Sequence, residues 1–149
     1  MIIIDSREKK FEHIENYFKA NDIPYEVKKL ETGDYFNTEN PSVTIDRKSN
    51  LQEICSNLSK GQENYSRFVR ECKRAFVSKM HFIVLIESEE CSCTEDLKEW
   101  QSKFSKHTGR WLANEMFRLT MAYNVDWRFC RKIETAEKIL EILNDERGN

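Results

Sequence analysis

Apolar residues along the chain fall into two kinds of pattern. Short continuous runs predict buried strands: Met1 to Ile4, which stops at Asp5, and His81 to Ile86, which stops at Glu87; Val125 to Cys130 reads as a further strand. Tyr25 to Leu30 reads as another strand, entered through Pro24 and continuing into Gly33-Asp34-Tyr35-Phe36. Stripes at helical spacing lie between them. Phe11, Ile14, Tyr17 and Phe18 predict a helix over about 10–21, and Leu51, Ile54, Cys55 and Leu58 predict one that Ser49 caps. Tyr65, Phe68, Val69, Cys72 and Phe76 predict a helix over 62–77. Leu97, Trp100 and Phe104 predict one capped by Ser92 or Thr94. Two more follow, over about 110–123 and 134–144, the last burying Ala136, Ile139, Leu140 and Leu143.

The order β-α-β-β-α-α-β-α-α-β-α predicts an α/β fold. Its mixed central β-sheet has five to six strands flanked by helices. At 149 residues, with four Gly and two Pro, the chain suits a single domain over 1–149, with the segment Glu146-Arg147-Gly148-Asn149 expected to fray.

One stretch carries chemistry. Gly33-Asp34-Tyr35-Phe36 and Val43-Thr44-Ile45-Asp46-Arg47-Lys48 read as a hairpin across the turn Asn37-Thr38-Glu39-Asn40-Pro41-Ser42. Strand alternation sends Val43, Ile45 and Arg47 to one face and Thr44, Asp46 and Lys48 to the other. Asp46 and Lys48 then stand roughly 6.6 Å apart along one face. The hairpin brings Asp34 to the same end. Two carboxylates and an ammonium at one spot suit metal-dependent phosphodiester hydrolysis, in which Mg²⁺ or Mn²⁺ takes oxygen ligands. A surface hairpin with an ion pair is the structural alternative.

Charge sharpens this reading. The net charge is −2, which argues against nonspecific coating of nucleic acid. Yet Arg47 to Lys79 holds eight basic residues and three acids, whereas Glu87 to Asp96 is acidic. Lys60, Arg67, Arg70 and Arg74 are candidate phosphate contacts, the three arginines sharing one helix side. Five cysteines, an odd number, argue against a disulfide framework, and no metal-ligand spacing supports a zinc site. No run approaches a membrane span, and Met1 to Asp5 lacks the features of a signal peptide, so a cytoplasmic location is expected.

The sequence Ile2-Ile3-Ile4-Asp5-Ser6-Arg7-Glu8, then Gly33-Asp34, then Ile45-Asp46-Arg47-Lys48, resembles the XPF/Hef type of structure-specific endonuclease domain, a branch of the PD-(D/E)xK superfamily with a restriction-endonuclease-like fold. Motif matches are confined to residues 2–8 and 33–48, while the element order agrees to about Leu143. The resemblance implies a metal-dependent DNA endonuclease acting on branched or flapped DNA. Asp34, Asp46 and the Arg47 carbonyl would hold the metal, Lys48 would stabilise the reacting phosphate, and Arg47 would contact substrate or brace nearby acids. Asp5, Gln52, Glu53 and Glu87 are possible edges of the site.

Two positions depart from the family pattern. Asp46 stands where the family has Glu, and Gln52, followed by Glu53, stands where it has its last Asp. Neither a helix-hairpin-helix domain nor helicase motifs are present, which implies a stand-alone bacterial or phage module. A homodimer is expected through the helix carrying Trp111, Met116, Phe117, Met121 and Tyr123. The alternatives are an inactive nuclease-like partner subunit and a sequence- or mismatch-specific endonuclease of the wider superfamily.

Overall fold

The computed structural model describes residues 1–145, so the expected fraying of the final four residues lies outside the described part. A six-stranded mixed sheet forms the centre. Its strands are β1 (Ile2–Ile4), β2 (Tyr25–Val27), β3 (Tyr35–Asn37), β4 (Val43–Lys48), β5 (His81–Glu87) and β6 (Asp126–Cys130), in the spatial order β2-β1-β3-β4-β5-β6. The pairs β1–β2, β4–β5 and β5–β6 are parallel; β1–β3 and β3–β4 are antiparallel. The α/β fold and its mixed sheet are as the apolar pattern predicts. One expectation needs correcting: the run from Tyr25 to Phe36 is not continuous. Its two halves form β2 and β3 on opposite sides of β1, and the loop between them is tied to Asp5, whose carboxylate accepts the Leu30 N–H at 2.8 Å.

Among the described residues five α-helices cover the sheet: α1 (Glu12–Ala20), α2 (Leu51–Asn57), α3 (Glu63–Val77), α4 (Gly109–Tyr123) and α5 (Thr135–Leu143). On one face Leu51, Ile54 and Leu58, with Phe68, Cys72 and Ala75 of α3 and Leu112 and Met116 of α4, pack on Phe82, Val84 and Ile86 of β5. On the other, Ile14 and Phe18 of α1 and Ile139 and Leu143 of α5 pack on Ile45, Ile83 and Leu85. β5 lies between two parallel neighbours with helices on both faces, which is why it reads as a continuous apolar run.

The helix expected around Leu97, Trp100 and Phe104 does not form. Thr94–Glu99 is a 3-10 segment and residues 101–108 are a loop that closes on itself through a Gln101–Thr108 bridge. Leu97 is buried, whereas Phe104 is 82% exposed. The Ser102 hydroxyl accepts the Phe104 N–H at 3.2 Å, giving the backbone a non-helical partner. The N-cap of α2 is Asn50 rather than Ser49: its side chain accepts the Glu53 N–H at 2.8 Å. All five cysteines are free thiols, four of them buried. No described helix is long and apolar enough to cross a membrane.

Candidate active site

The register of β4 against β5 fixes which side chains share a face. Thr44, Asp46 and Lys48 pair with Phe82, Val84 and Ile86, so they face α2 and α3; Arg47 pairs with Leu85 and faces α1 and α5. The alternation read from the sequence therefore holds. At the end of β4, Asp46 is 5% exposed and Lys48 7%, beneath a cleft of about 810 Å³ between the sheet and α2–α3.

Asp34 reaches this cleft because of Gly33. The glycine adopts φ +80°, and a Cβ there would lie 2.1 Å from the Thr44 hydroxyl. Gly33 thus lets the chain pass close over β4. The Asp34 backbone then bridges two strands: its N–H donates to the Ile45 carbonyl at 2.7 Å and its carbonyl accepts from the Asp5 N–H at 2.8 Å. One carboxylate oxygen accepts the Arg47 N–H at 2.8 Å. Asp34 and Asp46 come within hydrogen-bonding reach of each other, and burial, followed by the charge of Asp46, pushes the Asp34 carboxyl well above the usual carboxylate range.

Lys48 Nζ lies 3.0 Å from Asp46 Oδ2 and 4.7 Å from the centre of the Phe68 ring. Burial pulls the ammonium pKa down, but Asp46, Glu53 and Asp34 outweigh it and the net shift is upward. Lys48 is held as a cation. Asp46 Oδ2 is buried, and the Lys48 ammonium is its counter-charge. Two carboxyls beside one ammonium leave negative charge in excess, and a divalent cation between them would relieve it. The donor set fits a hard cation. Among the described residues no three His, Cys, Asp or Glu converge as a metal cluster, so Asp34 and Asp46 would be completed by backbone oxygen or water.

Glu71 was not singled out in the sequence. It lines the cleft from α3, and its carboxylate accepts the Gly33 N–H at 2.9 Å. Burial, then the charge of Asp46, pushes it up to about 7. Helical spacing held the signal: Phe68, Glu71, Cys72 and Ala75 fall at i, i+3, i+4 and i+7, so an acid sits on the inward stripe.

The other predicted residues divide between the cleft and elsewhere. Asp5 lines the cleft, but Arg7 and the Leu30 N–H occupy its carboxylate. Glu53 also lines it, with its carboxylate turned back to accept from the Ser49 N–H and hydroxyl. Gln52 accepts a hydrogen bond from Ser102 at 2.8 Å. Arg67, Arg70 and Arg74 line the cleft wall. Arg67 meets Glu63 at 3.0 Å, and Arg74 donates to the Glu31 carbonyl.

Three expectations need correcting. The Arg47 guanidinium is not placed to bind DNA. It lies on the opposite face, its side chain 3% exposed, donating to Glu8 and Glu87 at 2.8 Å each and to the Lys9 carbonyl. Glu87 is not at the site edge, because it shares parity with Ile83 and Leu85. It accepts from Arg47 and Thr135 and meets His13 Nε2 at 2.7 Å. Lys60 is outside the cleft lining and lies 3.8 Å from Glu115.

Comparison with known proteins agrees with this architecture. Two solved structures of XPF from Aeropyrum pernix share the fold. One is 17% identical with a TM-score of 0.70, covering 95% of this chain and 62% of that one. The other, in complex with DNA, is 16% identical with a TM-score of 0.67, covering 99% and 68%. The chain thus spans under two thirds of the first of these structures. No curated protein matches it. The model of the ERCC4 domain matches residues 4–143, nearly the whole chain, and the chain therefore belongs to the ERCC4 domain family.

Proposed function

We propose that this domain is a divalent-metal-dependent DNA endonuclease acting on branched or flapped DNA. The observation that carries the reading is the closely spaced Asp34–Asp46 pair, with Lys48 Nζ 3.0 Å from Asp46, at the floor of an open cleft walled by Arg67, Arg70 and Arg74. Asp34, Asp46 and the Arg47 carbonyl would hold Mg²⁺ or Mn²⁺, which would lower the pKa of a water and neutralise phosphate charge. Lys48, fixed as a cation, orients the attacking water and stabilises the extra negative charge on the phosphate. Arg67, Arg70 and Arg74 track the backbone phosphates, and their contribution weakens with added salt. The complex of XPF from Aeropyrum pernix with DNA supports a nucleic-acid partner for the same fold. On α4, Phe117 and Met121 are exposed one turn apart, which supports pairing with a second copy.

The test is a cleavage panel on labelled forks, flaps and plain duplex with Mg²⁺ or Mn²⁺. The parent cuts branched substrates. Asp34→Ala and Asp46→Ala lose cleavage by about 10³-fold or more, and Lys48→Ala by about 10²–10³-fold while still binding metal. Equal cutting of a fork by the parent and by Asp46→Ala overturns the assignment. A parent that binds forks but never cuts them favours the inactive-partner reading, to which Gln52, committed to Ser102, lends support.

A further inference from the structure

The loop over residues 101–108 is built unlike an idle surface loop. Ser102, only 6% exposed, donates to Gln52 and accepts from the Phe104 N–H and the Ser105 hydroxyl, all at 2.8–3.2 Å. Its backbone N–H donates to the His107 carbonyl at 3.2 Å, and the His107 ring stacks on Trp111 with centroids 3.6 Å apart. These bonds close the loop at its base and pin it to α2 and α4. At its tip stands Phe104, 82% exposed, on the lining of the cleft that holds Asp34, Asp46 and Lys48.

We infer that Phe104 is a stacking platform for an unpaired nucleobase of the DNA strand whose phosphate occupies the cleft. This rests on the endonuclease reading and names the feature of branched DNA that the site selects. A rigidly presented aromatic face loses little freedom on binding, and every base offers a π face to it. Paired bases in a duplex are already stacked on their neighbours, so the platform rewards only an extruded or single-stranded base. The charge of the loop fits a nucleic-acid strand: from Gln101 to Gly109 there is no acid, and Lys103 and Lys106, both exposed, lie on either side of Phe104 in the sequence. Gln52 thereby acquires a role at the position where the resemblance leads one to expect an acid: its side-chain oxygen anchors the base of the loop.

The test measures affinity by fluorescence anisotropy in EDTA, using the full chain and labelled forked duplexes. Each fork carries an abasic residue in place of one of the first three unpaired nucleotides of either arm. The parent loses about tenfold in affinity when one particular position is abasic. Phe104→Ala binds the intact fork about tenfold more weakly and becomes indifferent to that abasic position. Phe104→Trp behaves as the parent, and fully paired duplex binds all three proteins equally. Cleavage by the parent in Mg²⁺ is scored in parallel. If the parent cuts forks but Phe104→Ala matches it in both affinity and abasic response, the stacking role is wrong and Phe104 is free to face a protein instead. If the parent neither binds nor cuts any DNA, the endonuclease reading itself fails and takes the inference with it.

Discussion

The two faces of β4 show opposite ways of burying charge. On the α1–α5 side the Arg47 guanidinium is matched by Glu8 and Glu87, and Glu87 in turn by Thr135 and His13, with contacts of 2.6–2.8 Å. On the α2–α3 side two carboxyls crowd beside one ammonium, and Asp34 and Glu71 are both pushed toward their protonated forms. Adjacent residues of one strand thus enter a network of matched charges and a cluster of like charges. The matched face braces the strand; the crowded face is where a cation and a phosphate would complete the set. A fold tolerates such crowding where surrounding structure holds it in place.

The largest effect on stability is expected on the charge-matched face. Arg47→Ala leaves Glu8 and Glu87 buried without their cation and lowers the unfolding free energy by about 3–5 kcal/mol in urea titrations. A loss below about 1 kcal/mol would mean that water satisfies both acids and that the network is not a brace. Gly33→Ala comes next. It forces a methyl against Thr44 at φ +80° and costs about 1–3 kcal/mol, with Asp34 displaced and cleavage lost together.

The crowded face also makes stability depend on pH. Asp34 and Glu71 have folded-state pKa values raised above those of the unfolded chain. Above about pH 4 the folded protein therefore holds protons that the unfolded chain releases. Metal-free stability falls as pH rises from there through about 7, where Glu71 titrates. Glu71→Gln flattens the upper part of that slope. A metal-free stability that rises over the same range would contradict the assignment of strain to this face.

Much of this architecture was legible from residue patterns. Alternation alone placed Asp46 and Lys48 together and Arg47 opposite, because strand period leaves no other choice once the apolar face is known. The same parity argument applied to β5 assigns Glu87 to the Arg47 face, and helical spacing assigns Glu71 inward; both signals were present in the sequence. Other features were not readable. Leu97, Trp100 and Phe104 match helical spacing, but the hydrogen bonds of Ser102 that replace the helix reach Gln52, far away in the chain. The separation of β2 from β3 depends likewise on Asp5 and Arg7 holding the backbone at Leu30. Local pattern identifies faces; long-range polar contacts decide where a segment stops.

The most direct test of the central claim compares the parent with Asp46→Asn by chemical unfolding at pH 8, first in EDTA and then with Mg²⁺ or Mn²⁺. The EDTA values give each protein's metal-free reference. The metal should then stabilise the parent by about 2.7 kcal/mol at a hundredfold excess over its dissociation constant and leave Asp46→Asn unmoved. An equal metal response in both proteins would contradict cation binding between Asp34 and Asp46.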